Sequence, residues 1–113
     1  MSIFDLSGRV AVVTGGNGGI GLGIAQALGE AGCAVSIWGR NAEKNAQAAA
    51  TISAKGGKAD TLVCDVTDMA SVKAAMTATL DKFGRVDGCF ANAGIGGGLI
   101  PIAEQTPEHW HEV

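Results

Sequence analysis

The ten residues 12–21, VVTGGNGGIG, hold five glycines directly behind an apolar run. Glycine in regular structure costs about 0.5–1 kcal/mol relative to alanine, so five together draw noticeably on a small domain's net stability. Serine, asparagine or lysine would serve a merely flexible loop. Glycine serves where backbone itself must come within hydrogen-bonding distance of a partner. A loop leading from a strand into a helix presents unpaired N–H groups at the positive end of the helix dipole, and both attract a pyrophosphate. Gly16, Gly18 and Gly21 satisfy the spacing GxGxxG, and side chains at such a loop would hold phosphates away. No Gly-Lys-Ser/Thr follows, which sets aside a P-loop. A hinge without a ligand is the alternative reading, and the position between strand and helix counts against it.

The surrounding pattern supplies that strand and helix. Residues 9–14 (RVAVVT) form a β-branched apolar run of strand length. Ile20, Ile24, Leu28 and Ala31 then recur at helical spacing, with Gly32 as a stop. Residues 34–38 (AVSIW) predict a second strand, and Asn41 predicts the cap of an alanine-rich helix ending at Gly56-Gly57. Residues 59–64 form a third strand, followed by a helix with Val72, Met76, Leu80 and Phe83 on one face. Residues 86–91 form a fourth, followed by a glycine-rich loop at 95–99 and a helix opened by Thr106-Pro107. Strands and helices alternate four times, which predicts an α/β fold with a doubly wound parallel sheet of the Rossmann type. Its strands run in the order 3-2-1-4, and ligands bind where that order reverses.

Composition narrows the partners. The chain has 113 residues, a net charge of −3 and no Lys/Arg run, which argues against nucleic acid or an anionic membrane. The N-terminus lacks a secretory pattern and no apolar run reaches membrane-spanning length. Cys33, Cys64 and Cys89 have no CxxC spacing and read as buried free thiols of a cytoplasmic protein, not as a zinc site. His109 and His111 stand two apart on a predicted helix, so they diverge and read as surface residues.

Three motifs go beyond the general fingerprint. Thr14-Gly15-(x)3-Gly19-Ile20-Gly21, Asp65-Val66 and Asn92-Ala93-Gly94 together resemble the TGxxxGIG, Asp-Val and NAG motifs of the classical short-chain dehydrogenases/reductases. Pro107 and Trp110 resemble the start of the long helix that follows in that family. The resemblance implies that Gly15, Asn17, Gly18, Gly19, Ile20 and Gly21 line the adenosine and pyrophosphate of a dinucleotide. It implies that Asp65 accepts from the adenine amino group, that Val66 flanks the ring, and that Asn92, Ala93 and Gly94 support the nearby ribose. Taken singly, Asp65 or Asp68 would equally cap a helix, and Asn92 and Gly94 would equally shape a turn.

An acid about 20 residues beyond such glycines usually holds the ribose 2′-hydroxyl of NAD. Here the second strand ends Ser36-Ile37-Trp38-Gly39-Arg40, with no carboxylate and with an arginine whose planar fork suits a phosphate. NADP(H) is therefore favoured over NAD(H), and Asp in place of Gly39 is expected to swing the preference. Arg40 as a solvated surface residue is the alternative. Many NADP-preferring relatives carry a basic residue where this chain has Gly18.

The family's chemistry uses a Tyr-x-x-x-Lys pair, and this sequence contains no tyrosine. Residues 1–113 are therefore expected to be the cofactor-binding portion of a longer single-domain oxidoreductase, inactive alone, with an incomplete sheet. The resemblance implies a small-molecule alcohol or carbonyl substrate and a homo-oligomer for the complete protein. A non-catalytic dinucleotide-binding or regulatory module is the competing reading from another class. A methyltransferase-type nucleotide fold is a third, opposed by the NAG motif and the TGxxxGIG spacing.

Overall fold

Each apolar run does form a strand, and each strand hands over to a helix. In the computed structural model, which describes residues 2–95 and 98–113, β1 (Val10–Thr14) leads to α1 (Gly19–Glu30) and β2 (Ala34–Gly39) to α2 (Ala42–Ala54). β3 (Lys58–Val63) leads to α3 (Met69–Phe83), and β4 (Gly88–Phe90) is followed by a 3₁₀ turn (Ile102–Glu104) and α4 (Pro107–Glu112). All strand pairs are parallel, in the order β3-β2-β1-β4, with Val12 level with both Ser36 and Cys89. This is the predicted doubly wound order, and its reversal lies between β1 and β4. Residues 96 and 97 of the expected glycine-rich loop lie outside the described residues.

Alternate residues of the strands serve opposite faces, as the pleat requires. Val13, Val35 and Ile37 pack with Ala25 of α1 and with Ala48 and Ile52 of α2. Val12 and Trp38 pack with Cys64 and with Ala75 of α3. The second face also carries polar groups, Ser36 and Thr79, each fully buried. Thr79 Oγ1 donates to the Ala75 carbonyl at 2.8 Å. Its proton is thereby used, so Ser36 Oγ donates to Thr79 Oγ1 across 3.3 Å and accepts from Trp38 Nε1 at 3.0 Å. Every group in this small network has a partner, which removes the cost of burying it and fixes the indole.

Helix ends explain much of the remaining order. Asn41 accepts from the Lys44 N–H, Asp68 from that of Ala70 and Thr106 from that of His109. Asp68 is therefore the cap of α3, and Asp65 is not. α3 stops at Gly84 in the left-handed conformation, φ 78°. α1 alone begins without a side-chain cap: Gly18 precedes it, and no acid lies in its first turn.

Some expectations need correction. The buried stripe of α1 is Gly21, Ala25 and Gly29, whereas Ile20 is 79% exposed. Small residues bring this helix close to its neighbours, and a Cβ on Gly29 would already stand 2.9 Å from Ile52 Cγ2. On α3 the buried residues are Ala75 and Thr79, and Leu80 is exposed. The bulk of Trp38 fills the space beneath that helix, so small side chains sit closest to the sheet. Cys33 and Cys64 are buried as expected, whereas Cys89 is exposed, on a strand that pairs only with β1 among the described residues. β4 is also shorter than predicted.

The start of β4 is held by charge. Asp87 accepts from the Val10 N–H at 2.8 Å and from Arg85 Nη2 at 2.6 Å and Nε at 2.9 Å, with Arg9 Nη1 at 3.4 Å. The Arg85 hydrogen bonds, then that from Val10, lower its pKa from 3.8 to about 2. A depressed carboxylate stabilises the fold above its unfolded value and loses that contribution as pH falls through its folded one. Urea unfolding of wild type and Asp87→Asn is expected to differ most at neutral pH, with the gap closing between pH 3.8 and about 2. A gap that does not vary with pH would show that the charge of Asp87 is immaterial.

Candidate functional site

The loops at the carboxyl ends of all four strands enclose one cleft of about 740 Å³. Gly15, Asn17, Gly18 and Gly19 line it from the β1–α1 loop, Arg40 from beyond β2, Asp65 and Val66 from beyond β3, and Asn92, Ala93 and Gly94 from beyond β4. The structure thus brings together ten of the twelve residues singled out in the sequence. Gly21 is buried and does not line the cleft, and neither does Ile20, whose side chain is exposed.

The glycines divide the labour unequally. Gly15 has φ +65°, and a Cβ there would lie 3.1 Å from Asn92 Nδ2 and from the Ala93 Cα. A Cβ on Gly21 would overlap the Gly15 carbonyl oxygen and come 2.5 Å from Asn92 Nδ2. These two glycines make room for protein backbone. Gly18 and Gly19 face open space, so a side chain there would meet no protein atom. Only this second pair can leave room for a ligand.

Asn92 ties the two sides of the sheet reversal together. Its Nδ2 donates to the carbonyls of Thr14 at 3.2 Å and Gly15 at 3.3 Å. The Ala93 N–H donates to Thr14 Oγ1 at 3.0 Å, and that hydroxyl in turn reaches the Phe90 carbonyl at 3.4 Å. The NAG segment is therefore a clamp between β1 and β4 as well as a wall of the cleft.

Asp65 Oδ1 accepts from Thr67 Oγ1 at 2.7 Å and from the Thr67 N–H at 2.9 Å, closing an Asx turn. The Thr67 hydroxyl, its N–H, and more weakly the Arg40 charge hold the carboxyl below the usual range. It is ionised at neutral pH, and Oδ2 has no protein hydrogen bond among the described residues.

Sequence reasoning missed Trp38, Lys44 and Asn45. Trp38 and Lys44 line the cleft, the latter one helical turn beyond Arg40, and neither cation forms an ion pair among the described residues. Asn45 is 1% exposed; it accepts from Asn17 Nδ2 at 2.8 Å and donates to the Gly39 carbonyl at 2.9 Å and the Leu62 carbonyl at 3.2 Å. The available signal was an asparagine inside an alanine-rich helix, where its propensity is poor. The pair also alters the expectation for Gly39. A Cβ there would overlap Asn17 Nδ2 and Asn45 Oδ1, so Gly39→Asp cannot simply add an acceptor. His109 and His111 lie on α4 outside the cleft, His109 beside Gln105 Oε1, and no metal-binding cluster occurs among the described residues. Among those residues no helix is long and apolar enough to cross a membrane.

Known proteins agree with this architecture. The family model for short chain dehydrogenase matches residues 9–113. The 2,5-dichloro-2,5-cyclohexadiene-1,4-diol dehydrogenase of Sphingobium indicum is 38% identical over 96% of this chain and 42% of its own length. A metagenomic short-chain oxidoreductase solved with NADP superposes with a TM-score of 0.85 at 38% identity, covering 96% of this chain and 49% of that one. NAD+-bound xylitol dehydrogenase superposes with a TM-score of 0.84 at 34% identity, over 94% and 41% respectively. The chain therefore spans less than half the length of the relatives it matches. Sheet order, strand-end cleft and the match over nearly all residues lead to one assignment: the chain belongs to the short-chain dehydrogenase family.

Proposed function

We propose that residues 1–113 are the cofactor-binding portion of an NADP(H)-dependent oxidoreductase that interconverts an alcohol and a carbonyl compound. The observation that carries this reading is the uncapped start of α1, which opens beside Gly18 and Gly19 into a cleft bearing Arg40. Unpaired N–H groups and a helix dipole free of a competing acid suit a pyrophosphate. The residues fit the group. Gly18 and Gly19 leave the space, and Asp65, ionised with one oxygen unengaged, suits the adenine amino group, with Val66 beside the ring. Asn17 and the segment from Asn92 to Gly94 form the walls at the ribose, and Arg40 takes the 2′-phosphate. When bound, the nicotinamide supplies or accepts the hydride. This chain's share is to bind the dinucleotide and fix its position.

Reduction of a carbonyl also needs a proton donor of matched pKa at the oxygen. With no tyrosine in the sequence, residues 1–113 alone are expected to give no substrate-dependent NADPH oxidation. The complete protein, which we read as cytoplasmic and homo-oligomeric, is expected to give it. Turnover by residues 1–113 alone would overturn this division.

Cofactor preference has a direct test in the complete protein. Arg40→Ala is expected to weaken NADP(H) binding by roughly 1.5–3 kcal/mol, about ten- to a hundred-fold, with NAD(H) nearly unchanged. Equal losses for both cofactors in titration would make Arg40 structural, and a wild-type preference for NAD(H) would reject the NADP(H) reading.

The two kinds of glycine are separable as well. Gly18→Arg meets open space at an extended φ of −173°. It is expected to leave the melting temperature unchanged, its effect falling on dinucleotide affinity and not on the fold. Gly21→Ala pushes a carbon into the Gly15 carbonyl and is expected to cost about 1–3 kcal/mol of stability. If thermal melts rank the two variants the other way, the glycine roles assigned above are reversed.

A further inference from the structure

We propose that Asn45, a buried residue of α2 that does not itself line the cleft, keeps position 39 closed to any side chain and so bars the carboxylate that would select NAD. The inference rests on the NADP(H) reading above and adds to it a residue that neither touches the phosphate nor carries a charge.

The geometry is fully bonded. Both protons of the Asn45 amide are used, one on the Gly39 carbonyl and one on that of Leu62, so the side chain spans the last turn of β2 and the neighbouring β3. Its oxygen accepts from Asn17. Gly39 lies against this pair: a Cβ would overlap both amides and stand 3.1 Å from Asn17 Cγ. Asn17 is half-buried and has one bond to give up, so it can swing aside. Asn45 cannot. It is enclosed, and any rotation that clears position 39 breaks its bonds to the Gly39 and Leu62 carbonyls and leaves its own buried amide unpaired, the costly case for buried polar groups.

Position 39 is the end of the second strand, where a carboxylate would accept from the ribose 2′-hydroxyl of NAD. With that place shut, the polar side chains left at this end of the cleft include two cations, Arg40 and Lys44. A 2′-phosphate satisfies them, and a bare hydroxyl gains little from either. Asn45 thus bars the one substitution that would add an NAD-selective acceptor, beside an arginine that attracts the phosphate. Lys44 and Asn45 are consecutive residues of α2, so the same helix turn delivers the cation and the block.

The test is a comparison of NADP+ and NAD+ dissociation constants for four full-length proteins: wild type, Gly39→Asp, Asn45→Ala, and the double variant. Gly39→Asp alone is expected to lose affinity for both cofactors or to fold poorly. Asn45→Ala alone is expected to leave the NAD+/NADP+ affinity ratio unchanged, since no acceptor has been added. The double variant has room for the carboxylate, and its ratio is expected to move toward NAD+ by about tenfold or more relative to Asn45→Ala. The pair Gly39→Ser with Asn45→Ala, which introduces a smaller acceptor, is expected to fold if the aspartate version does not and to shift the ratio the same way. Gly39→Asp switching preference on its own, in a well-folded protein, would overturn the role of Asn45, as would double variants that fold but leave the ratio where it was. Wild-type protein that binds neither dinucleotide would instead reject the underlying cofactor reading, a separate outcome.

Discussion

The least room for a side chain in the site is at Gly21, and backbone takes it. The Gly15 carbonyl occupies the place where a side chain on Gly21 would go, and the Asn92 amide stands against both. This three-way approach presses the first turn of α1 onto the seam between β1 and β4. The seam is where the strand order reverses, so the same contact fixes how the cleft opens. Glycine stands at the capping position of α1, and the N–H groups that caps satisfy in α2, α3 and α4 are left for something else.

Electrostatics then sorts the cleft by strand. The chain is acidic overall, with a net charge of −3. Yet the wall beyond β2 presents Arg40 and Lys44, and the wall beyond β3 presents ionised Asp65. A dinucleotide is itself asymmetric, anionic along its phosphates and carrying an amino donor on adenine. The helix dipole, the cations and the carboxylate each have a counterpart in such a molecule. A uniformly charged ligand would leave one of them opposed.

Much of this was legible in the sequence because period and punctuation agree. The β-branched runs, the Asn41 cap, the Gly84 stop and the Thr106-Pro107 opening each specify local geometry, and four such alternations leave one common sheet order. The motifs at the strand ends then converge because parallel strands deliver all their carboxyl ends to one edge. What the pattern did not carry was depth. Helical spacing cannot say that Gly21, Ala25 and Gly29 would face inward in preference to Ile20, since that depends on how close the helix is drawn by contacts distant in the chain. Cys89 sits in an apolar run that reads as buried, and its exposure follows from pairing that its own segment does not encode. Trp38 and Asn45 were missed because their partners, Thr79 for one and Asn17 with Leu62 for the other, are 41, 28 and 17 residues away.

The end of β2 shows why such distant partners matter to function. The Gly39 carbonyl accepts from both Asn45 Nδ2 and the Cys64 N–H, and the Trp38 carbonyl accepts from the Gly15 N–H. Within two residues, then, β2 is bonded to α2, to the segment after β3 and to the glycine loop. The position that a sequence pattern marks as variable between cofactors is thereby among the most constrained in the cleft. Surface position 40 can change with little consequence for the fold. Position 39 cannot, because its substitution is coupled through Asn45 to two strands and through Asn17 to the β1–α1 loop. On the inference above, a change of cofactor requires residues 39 and 45 to change together, with Asn17 moving aside, whatever charge stands beyond β2.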